Sequence, residues 1–254
     1  MMTDTVAPFF ASRTKSVVVH RTLKTTGITE SALSNSLGNI DELLQGTKLA
    51  FLPSPLGVRL RITLVGTDEA ETRRRVAEIE RRIRAVADKH IYGTDEEELE
   101  EVLGKMLAER KLTIAVAESC TGGMIADKLT NVPGSSRYFE RGVVTYSNDS
   151  KTQLLGVPAA LIVQYGAVSK EVAEAMAAGV RSSAKTDVAV STTGIAGPDG
   201  GTPEKPVGLV YMGYADSRGT FSLKFQFATG RRRIKERASQ AALELVRRRL
   251  LGLE

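Results

Sequence analysis

The sequence contains no tryptophan, one cysteine and two histidines, and only 5% of its residues are aromatic. Each scarcity excludes something. A single Cys120 cannot close an internal disulfide or assemble a structural zinc site. Six Tyr and seven Phe supply few of the stacking platforms that single-strand nucleic-acid binders use. Both histidines, His20 and His90, lie within the first 90 residues of the chain. A Ser-His-Asp triad built from the later residues alone is therefore excluded. No apolar run is long enough to cross a membrane. The first residues, "MMTDTVAPFFASRTK", lack the apolar core of a signal peptide, so a cytoplasmic location is expected.

What is present is a chain of 254 residues with 42% hydrophobic and 26% charged residues, enough for one large or two ordinary domains. The net charge is +5, and much of it sits in "GRRRIKERASQAALELVRRRLLG" near the end. Such a balance suits anionic ligands, although from charge alone a solvated helix face is the commoner explanation.

Hydrophobic periodicity divides the chain. After a tail over residues 1–14, residues 15–92 read as a small α+β domain of roughly β-α-β-β-α order. "KSVVVHRTLKTTG" is a β-branched strand, and "KLAFLPSP" and "GVRLRITLVG" are two strands around a turn. Val58, Leu60, Ile62 and Leu64 alternate with Arg59, Arg61 and Thr63, so one face is wet. "TDEAETRRRVAEIERRIRAVADK" is a helix capped at Thr67 or Asp68, with Val76, Ile79, Ile83 and Val86 as its apolar stripe. A second helix, "GTDEEELEEVLGKMLAERK", is expected to be capped by Thr94, which puts a domain boundary near Gly93.

Residues 93–254 alternate strands and helices: "LTIAVAES", "TGGMIADKLTNV", "RGVVTYSN", "SKTQLLG", "SKEVAEAMAAGVRSSAK", "TDVAVSTTG", then the antiparallel pair "VGLVYMGYAD" and "GTFSLKFQFA", and a closing helix. The alternation predicts an α/β fold, a three-layer α/β/α sandwich with a mixed sheet.

In such sheets ligands gather at the carboxyl ends of strands. Three segments leave strands there. "AVAESCTGG" offers Ser119, Cys120 and Thr121 as nucleophiles, with Gly122 and Gly123 permitting close backbone approach. As an alternative, Ser119 and Thr121 are helix caps and the glycines serve only the turn. "VVTYSNDSK" brings Tyr146 and Lys151. "STTGIAGPDGGTPEKPVG" is a glycine-punctuated loop that matches no phosphate-binding spacing. Unless His20 or His90 reaches across, the base for a serine must be another group. Lys151, with Tyr146 as relay, is best placed, because desolvation can lower a lysine pKa enough to accept a proton. Glu118 is the weaker candidate.

These motifs, together with "GSSRYFERG" and "GAVS", occur in an order that resembles the C-terminal domain of the CinA family, whose stand-alone version is nicotinamide mononucleotide deamidase. The resemblance covers about residues 95–252. Residues 15–92, with "GITESAL", look like the KH-like middle domain of longer members. Their larger N-terminal domain is not matched, and its pyrophosphatase activity is not carried over. The resemblance implies hydrolysis of the carboxamide of nicotinamide mononucleotide without cofactor or metal. It assigns catalysis to Ser119, Tyr146 and Lys151. It assigns the oxyanion to amides of Thr121, Gly122 and Gly123, and the pocket to Thr193, Gly194, Ile195, Ala196, Gly197 and Pro198. A basic residue of the last helix would hold the phosphate, with Arg232 favoured over Arg231 and Arg233. It further implies a homodimer, with no membrane partner. Nucleic acid is not expected, because the first domain lacks a GXXG loop. The competing expectation is a silent nucleotide or nucleic-acid binding module that uses the KH-like domain for interaction.

Overall fold

The computed structural model describes residues 16–228 and 230–253. The tail expected over residues 1–14 lies outside them. The chain divides into two compact units between Glu96 and Glu97.

The first unit is a four-stranded antiparallel sheet in the order β2-β3-β1-β4. Its strands are β1 (Val17–Thr25), β2 (Lys48–Ser54), β3 (Gly57–Gly66) and β4 (Ile91–Thr94). Val58, Leu60, Ile62 and Leu64 are buried and Arg59 and Arg61 exposed, as the alternation in β3 requires. The short helices α1 (Glu30–Leu37) and α2 (Ile40–Leu44) are capped by Thr29 and Asn39. The long helix α3 (Glu69–Ala87) is capped by Asp68, whose carboxylate accepts the Glu71 N–H at 2.7 Å.

Two expectations change here. Val86 is 52% exposed and Ala87 is buried in its place. A stripe through Val76, Ile79 and Ile83 drifts around the helix and reaches Ala87 at the last turn. Thr94 caps no helix. It ends β4, opposite Leu23 of β1. The boundary expected near Gly93 therefore falls inside a strand of the first sheet.

The second unit opens with α4 (Leu99–Glu109), capped instead by Glu98 in a reciprocal pairing with Glu101. Its sheet has five strands in the order β6-β5-β7-β8-β9. They are β5 (Ile114–Glu118), β6 (Phe139–Val144), β7 (Val188–Gly194), β8 (Leu209–Asp216) and β9 (Gly219–Gln226). β5 pairs in parallel with β6 and β7, and the other pairings are antiparallel, so the sheet is mixed. All five residues of β5 are buried, as expected of a central strand covered on both faces. One face packs α5 (Met124–Thr130) and the closing helix α9 (Arg231–Leu250). The other carries α6 (Asn148–Leu155), α7 (Ala159–Tyr165) and α8 (Lys170–Ala184). The alternation had not separated α7 as a helix of its own.

A close approach fixes one helix that matters for function. A Cβ on Gly179 of α8 would lie 1.9 Å from the Leu155 carbonyl oxygen at the end of α6. Only glycine lets α6, the helix that holds Lys151, sit where it does.

The topology gathers one rim. The carboxyl ends of β5, β6 and β7 point the same way because they are parallel. β9 is antiparallel to β8, which is antiparallel to β7, so β9 also ends on this side. The start of α9 therefore returns to the rim where β5 delivers Ser119.

Candidate functional site

The turn after β5 is built around a carboxylate. Glu118 is 1% exposed. Its Oε2 accepts the N–H groups of Gly123 at 2.9 Å and Ile125 at 3.2 Å, and its Oε1 accepts that of Ala126 at 2.9 Å. The acid thus occupies the amino end of α5, where unpaired amides and the helix dipole favour a negative charge. Two expectations are corrected by this. Glu118 is no free base, because both its oxygens are engaged. The Gly123 amide is no oxyanion donor, because it is already given to Glu118. The amides of Thr121 and Gly122 make no hydrogen bond among the described residues. Gly122 and Gly123 both take positive φ, at 63° and 95°.

Ser119 follows Glu118 and is buried. Its amide donates to the Thr192 carbonyl at 2.9 Å, which fixes the turn to β7. Lys151 reaches it from the first turn of α6, a helix capped by Ser147. Lys151 is 1% exposed. Its Nζ lies 3.2 Å from Ser119 Oγ, 2.9 Å from the Thr145 carbonyl oxygen and 3.3 Å from that of Tyr146. No carboxylate pairs with it among the described residues. Burial pushes its pKa below the usual lysine range. A neutral amine can give its two N–H groups to Thr145 and Tyr146, leaving its lone pair for the serine hydroxyl.

The neighbouring nucleophiles are differently placed. Cys120 is buried, and desolvation pushes its thiol up to about 12, so it carries no thiolate near neutral pH. Thr121 is fully buried, and its Oγ1 lies 2.7 Å from Thr192 Oγ1 inside the fold. Thr193 donates to the Ala167 carbonyl at 2.7 Å. The hydroxyls of Thr121 and Thr193 are thus committed to the scaffold.

The loop after β7 is pinned at both ends. Ile195 donates to the Leu209 carbonyl, and Gly208 donates back to Ile195. Arg231 donates to the Gly197 carbonyl at 2.7 Å, and Lys205 donates to the Tyr165 carbonyl at 2.7 Å. Gly194 and Ile195 are half-buried, Ala196 and Gly197 buried, and Pro198 exposed. Cavities of about 390 and 490 Å³ elsewhere in the unit are lined by neither Ser119 nor Lys151. The second follows this loop from Pro198 to Val207.

Two further groups differ from expectation. Tyr146 is 60% exposed, and its hydroxyl accepts a 2.8 Å hydrogen bond from Arg231. That hydroxyl makes no hydrogen bond to Ser119 or to the Lys151 amine, which instead meets the Tyr146 carbonyl, so the relay is not formed. Arg232, favoured from the sequence, is exposed and pairs with Glu236 at 2.7 Å, beside Asp127 and Lys128 of α5. Arg231 is the arginine at the rim. One turn later, Lys235 brings its Nζ within 3.2 Å of where a Gly122 Cβ would stand. The sequence reading missed Lys235. Its signal was the spacing of four from Arg231, which puts both on one helix face. His20, in the first unit, sits beside Thr63 Oγ1 at 2.9 Å. Among the described residues no acidic, His or Cys cluster could hold a metal, and no helix is long and apolar enough to cross a membrane.

Residues 96–250 match the family model of the CinA C-terminal domain, and residues 20–93 match that of the damage-inducible protein CinA KH domain. A CinA-like protein of Chlorobium limicola is 46% identical over 96% of this chain and 58% of its own length. One from Chloroherpeton thalassium is 46% identical over 97% of this chain and 60% of its own. The chain therefore spans about three-fifths of the length of these curated relatives. Among solved structures, the competence/damage inducible protein CihA from Agrobacterium tumefaciens is 38% identical, with a TM-score of 0.56 over 62% of this chain and 96% of that one. A competence-damaged protein superfamily member from Escherichia coli is 31% identical, with a TM-score of 0.57 over 58% of this chain and 87% of that one. On matches that run through both units and nearly the whole sequence, the chain belongs to the CinA family.

Proposed function

We propose that the second unit is a metal-independent amidohydrolase that deamidates nicotinamide mononucleotide. The observation that carries the reading is the buried Lys151 amine 3.2 Å from Ser119 Oγ, beside a turn with unpaired amides. A serine is a weak nucleophile until a base takes its proton. A lysine depressed by burial supplies that base where no histidine is at hand.

The steps follow from these groups. Ser119 Oγ attacks the carboxamide carbon, and its proton passes to Lys151 Nζ. The amides of Thr121 and Gly122 hold the oxyanion of the tetrahedral intermediate. Lys151 then returns the proton to the leaving nitrogen, and ammonia departs from an acyl-serine. Water, activated by the same amine, attacks the ester and releases the carboxylate and the free serine. The net reaction consumes one amide and one water and yields nicotinic acid mononucleotide and ammonia. Arg231 and Lys235 supply positive charge on the rim for the substrate's phosphate. The choice of amide rests on the family resemblance of the motifs, and the chemistry rests on the dyad.

The test is ammonia release from nicotinamide mononucleotide by the wild type beside Ser119→Ala and Lys151→Met. Turnover by the wild type, abolished in both variants, supports the reading. Equal turnover by Ser119→Ala overturns it.

A further inference from the structure

Ser119 stands in a row of hydroxyls. In the parallel register, Glu118 of β5 lies opposite Val144 of β6 and Thr192 of β7. One step further along, Ser119 falls between Thr145 and Thr193. The Thr145 amide donates to the Glu118 carbonyl at 2.8 Å and the Ser119 amide to the Thr192 carbonyl at 2.9 Å, so the ladder reaches this step. Side chains alternate across a sheet. Ala117 and Val143 are paired and pack against the core formed with α6, α7 and α8. Two residues on, Ser119 and Thr145 share that face, which α6 covers with Lys151. Of the three hydroxyls, that of Ser119 meets the Lys151 amine and that of Thr193 is given to the Ala167 carbonyl. Thr145 Oγ1 has no hydrogen-bond partner among the described residues, and Thr145 is fully buried. A valine would fill the same space with no polar atom left unpaired, so the hydroxyl here costs stability without improving the packing.

We infer that Thr145 is a positioning residue of the dyad: its hydroxyl is the acceptor that takes an N–H of Lys151 once the amine has received the Ser119 proton. The inference rests on the Ser119–Lys151 chemistry proposed above and names what stabilises its charged intermediate. A neutral amine has two N–H groups, and the Thr145 and Tyr146 carbonyls accept them at 2.9 and 3.3 Å. Protonation adds a third. That N–H first meets Ser119 Oγ, which becomes an ester oxygen as it bonds to carbon and then accepts poorly. A buried ammonium with an unpaired N–H is costly. The Ser147 carbonyl, at 3.5 Å, stands at the limit of hydrogen-bond distance. Thr145 already holds the amine by its carbonyl, its side chain lies on the amine's side of the sheet, and its hydroxyl oxygen is uncommitted. The neighbouring titratable groups do not replace it. Glu118 faces α5 on the other side of the sheet, the Cys120 thiol stays protonated, and the Tyr146 hydroxyl lies against Arg231.

The experiment compares Thr145→Val and Thr145→Ser with the wild type. It measures kcat and KM for nicotinamide mononucleotide across pH. It also follows the Lys151 amine directly, by NMR titration of isotope-labelled lysine Cε, with Lys151→Met to assign the signal. Thr145→Val should lower the plateau kcat by about tenfold or more at a KM within about twofold of the wild type. It should also move the Lys151 midpoint down in the rate profile and in the NMR titration, because the charged form has lost an acceptor. Thr145→Ser keeps the hydroxyl and should stay near the wild type in both. Denaturant unfolding of Thr145→Val should need at least as much denaturant as the wild type. A purely structural role would lower that stability and leave the Lys151 midpoint in place, and this pattern overturns the inference. A midpoint that is unmoved or raised in a stable Thr145→Val overturns it as well. Should Thr145→Val fail to fold, Thr145→Ala takes its place, and the same downward shift relative to Thr145→Ser is required. A wild type without turnover sinks the deamidase reading alone, and the NMR titration still decides the role of Thr145.

Discussion

Lys151 Nζ and Ser119 Oγ stand 3.2 Å apart inside the protein, with the amine held by backbone carbonyls and, among the described residues, no acid paired with it. The pairing has a clear electrostatic sense. A carboxylate near the lysine would stabilise its charged form and hold its pKa up. Carbonyl dipoles alone compensate poorly for lost water, and the neutral form gains.

This fixes the direction of the pH dependence. With the neutral amine as the proposed base, kcat/KM should fall as pH drops through the Lys151 pKa and rise above it. The midpoint should lie below the ordinary lysine value, because burial depresses it. The same shift links to stability. Between the folded and unfolded pKa values the unfolded chain binds the extra proton, so stability rises with pH across that window and levels off above the unfolded value. A pH–rate profile and denaturant titrations at several pH values check both signs. Lys151→Met should remove both the activity limb and this part of the pH-dependent stability.

Glu118 should behave as a structural anchor. Its carboxylate serves the amides of Gly123, Ile125 and Ala126 in a buried setting. Glu118→Ala leaves these donors without an acceptor and should cost about 3 kcal/mol of stability. Denaturant unfolding measures it. A Glu118→Ala variant that keeps its stability and loses turnover would instead make Glu118 the base.

Gly179→Ala should disturb catalysis from a distance. The new methyl group would strike the Leu155 carbonyl, which closes the helix bearing Lys151. Overpacking of this kind costs roughly 1–3 kcal/mol. Both the unfolding midpoint and kcat should fall.

The two adjacent arginines should separate cleanly. Arg231→Ala removes the donor to Gly197 and Tyr146 and should raise KM by about tenfold. Arg232→Ala breaks an exposed pair with Glu236 and should change KM by less than about twofold. Steady-state kinetics on the two variants decide between them.

Much of this site can be read from strand ends. Buried apolar runs followed by glycine or by polar residues place Ser119, Lys151 and the Thr193–Pro198 loop on one rim. The role of Glu118 is not readable that way, because its partners are amides of a helix whose start depends on the fold of the turn. Arg231 and Arg232 are indistinguishable by type, and only the phase of α9 as it leaves Gly230 decides which one points at the loop. Lys235 is hidden among basic residues that look like a solvated face. β4 was missed for a related reason. "IYGT" is too short to show a period, and it becomes a strand only because β1 offers it an edge.

The central claim is that Ser119, activated by Lys151, does the chemistry beside a buried and inert Cys120. The most direct measurement is ammonia release from nicotinamide mononucleotide by wild type, Ser119→Ala and Cys120→Ala under identical conditions. Turnover is expected from the wild type, nearly full turnover from Cys120→Ala, and a loss of about a thousandfold or more in Ser119→Ala. Retained turnover in Ser119→Ala, or its loss in a folded Cys120→Ala, would contradict it.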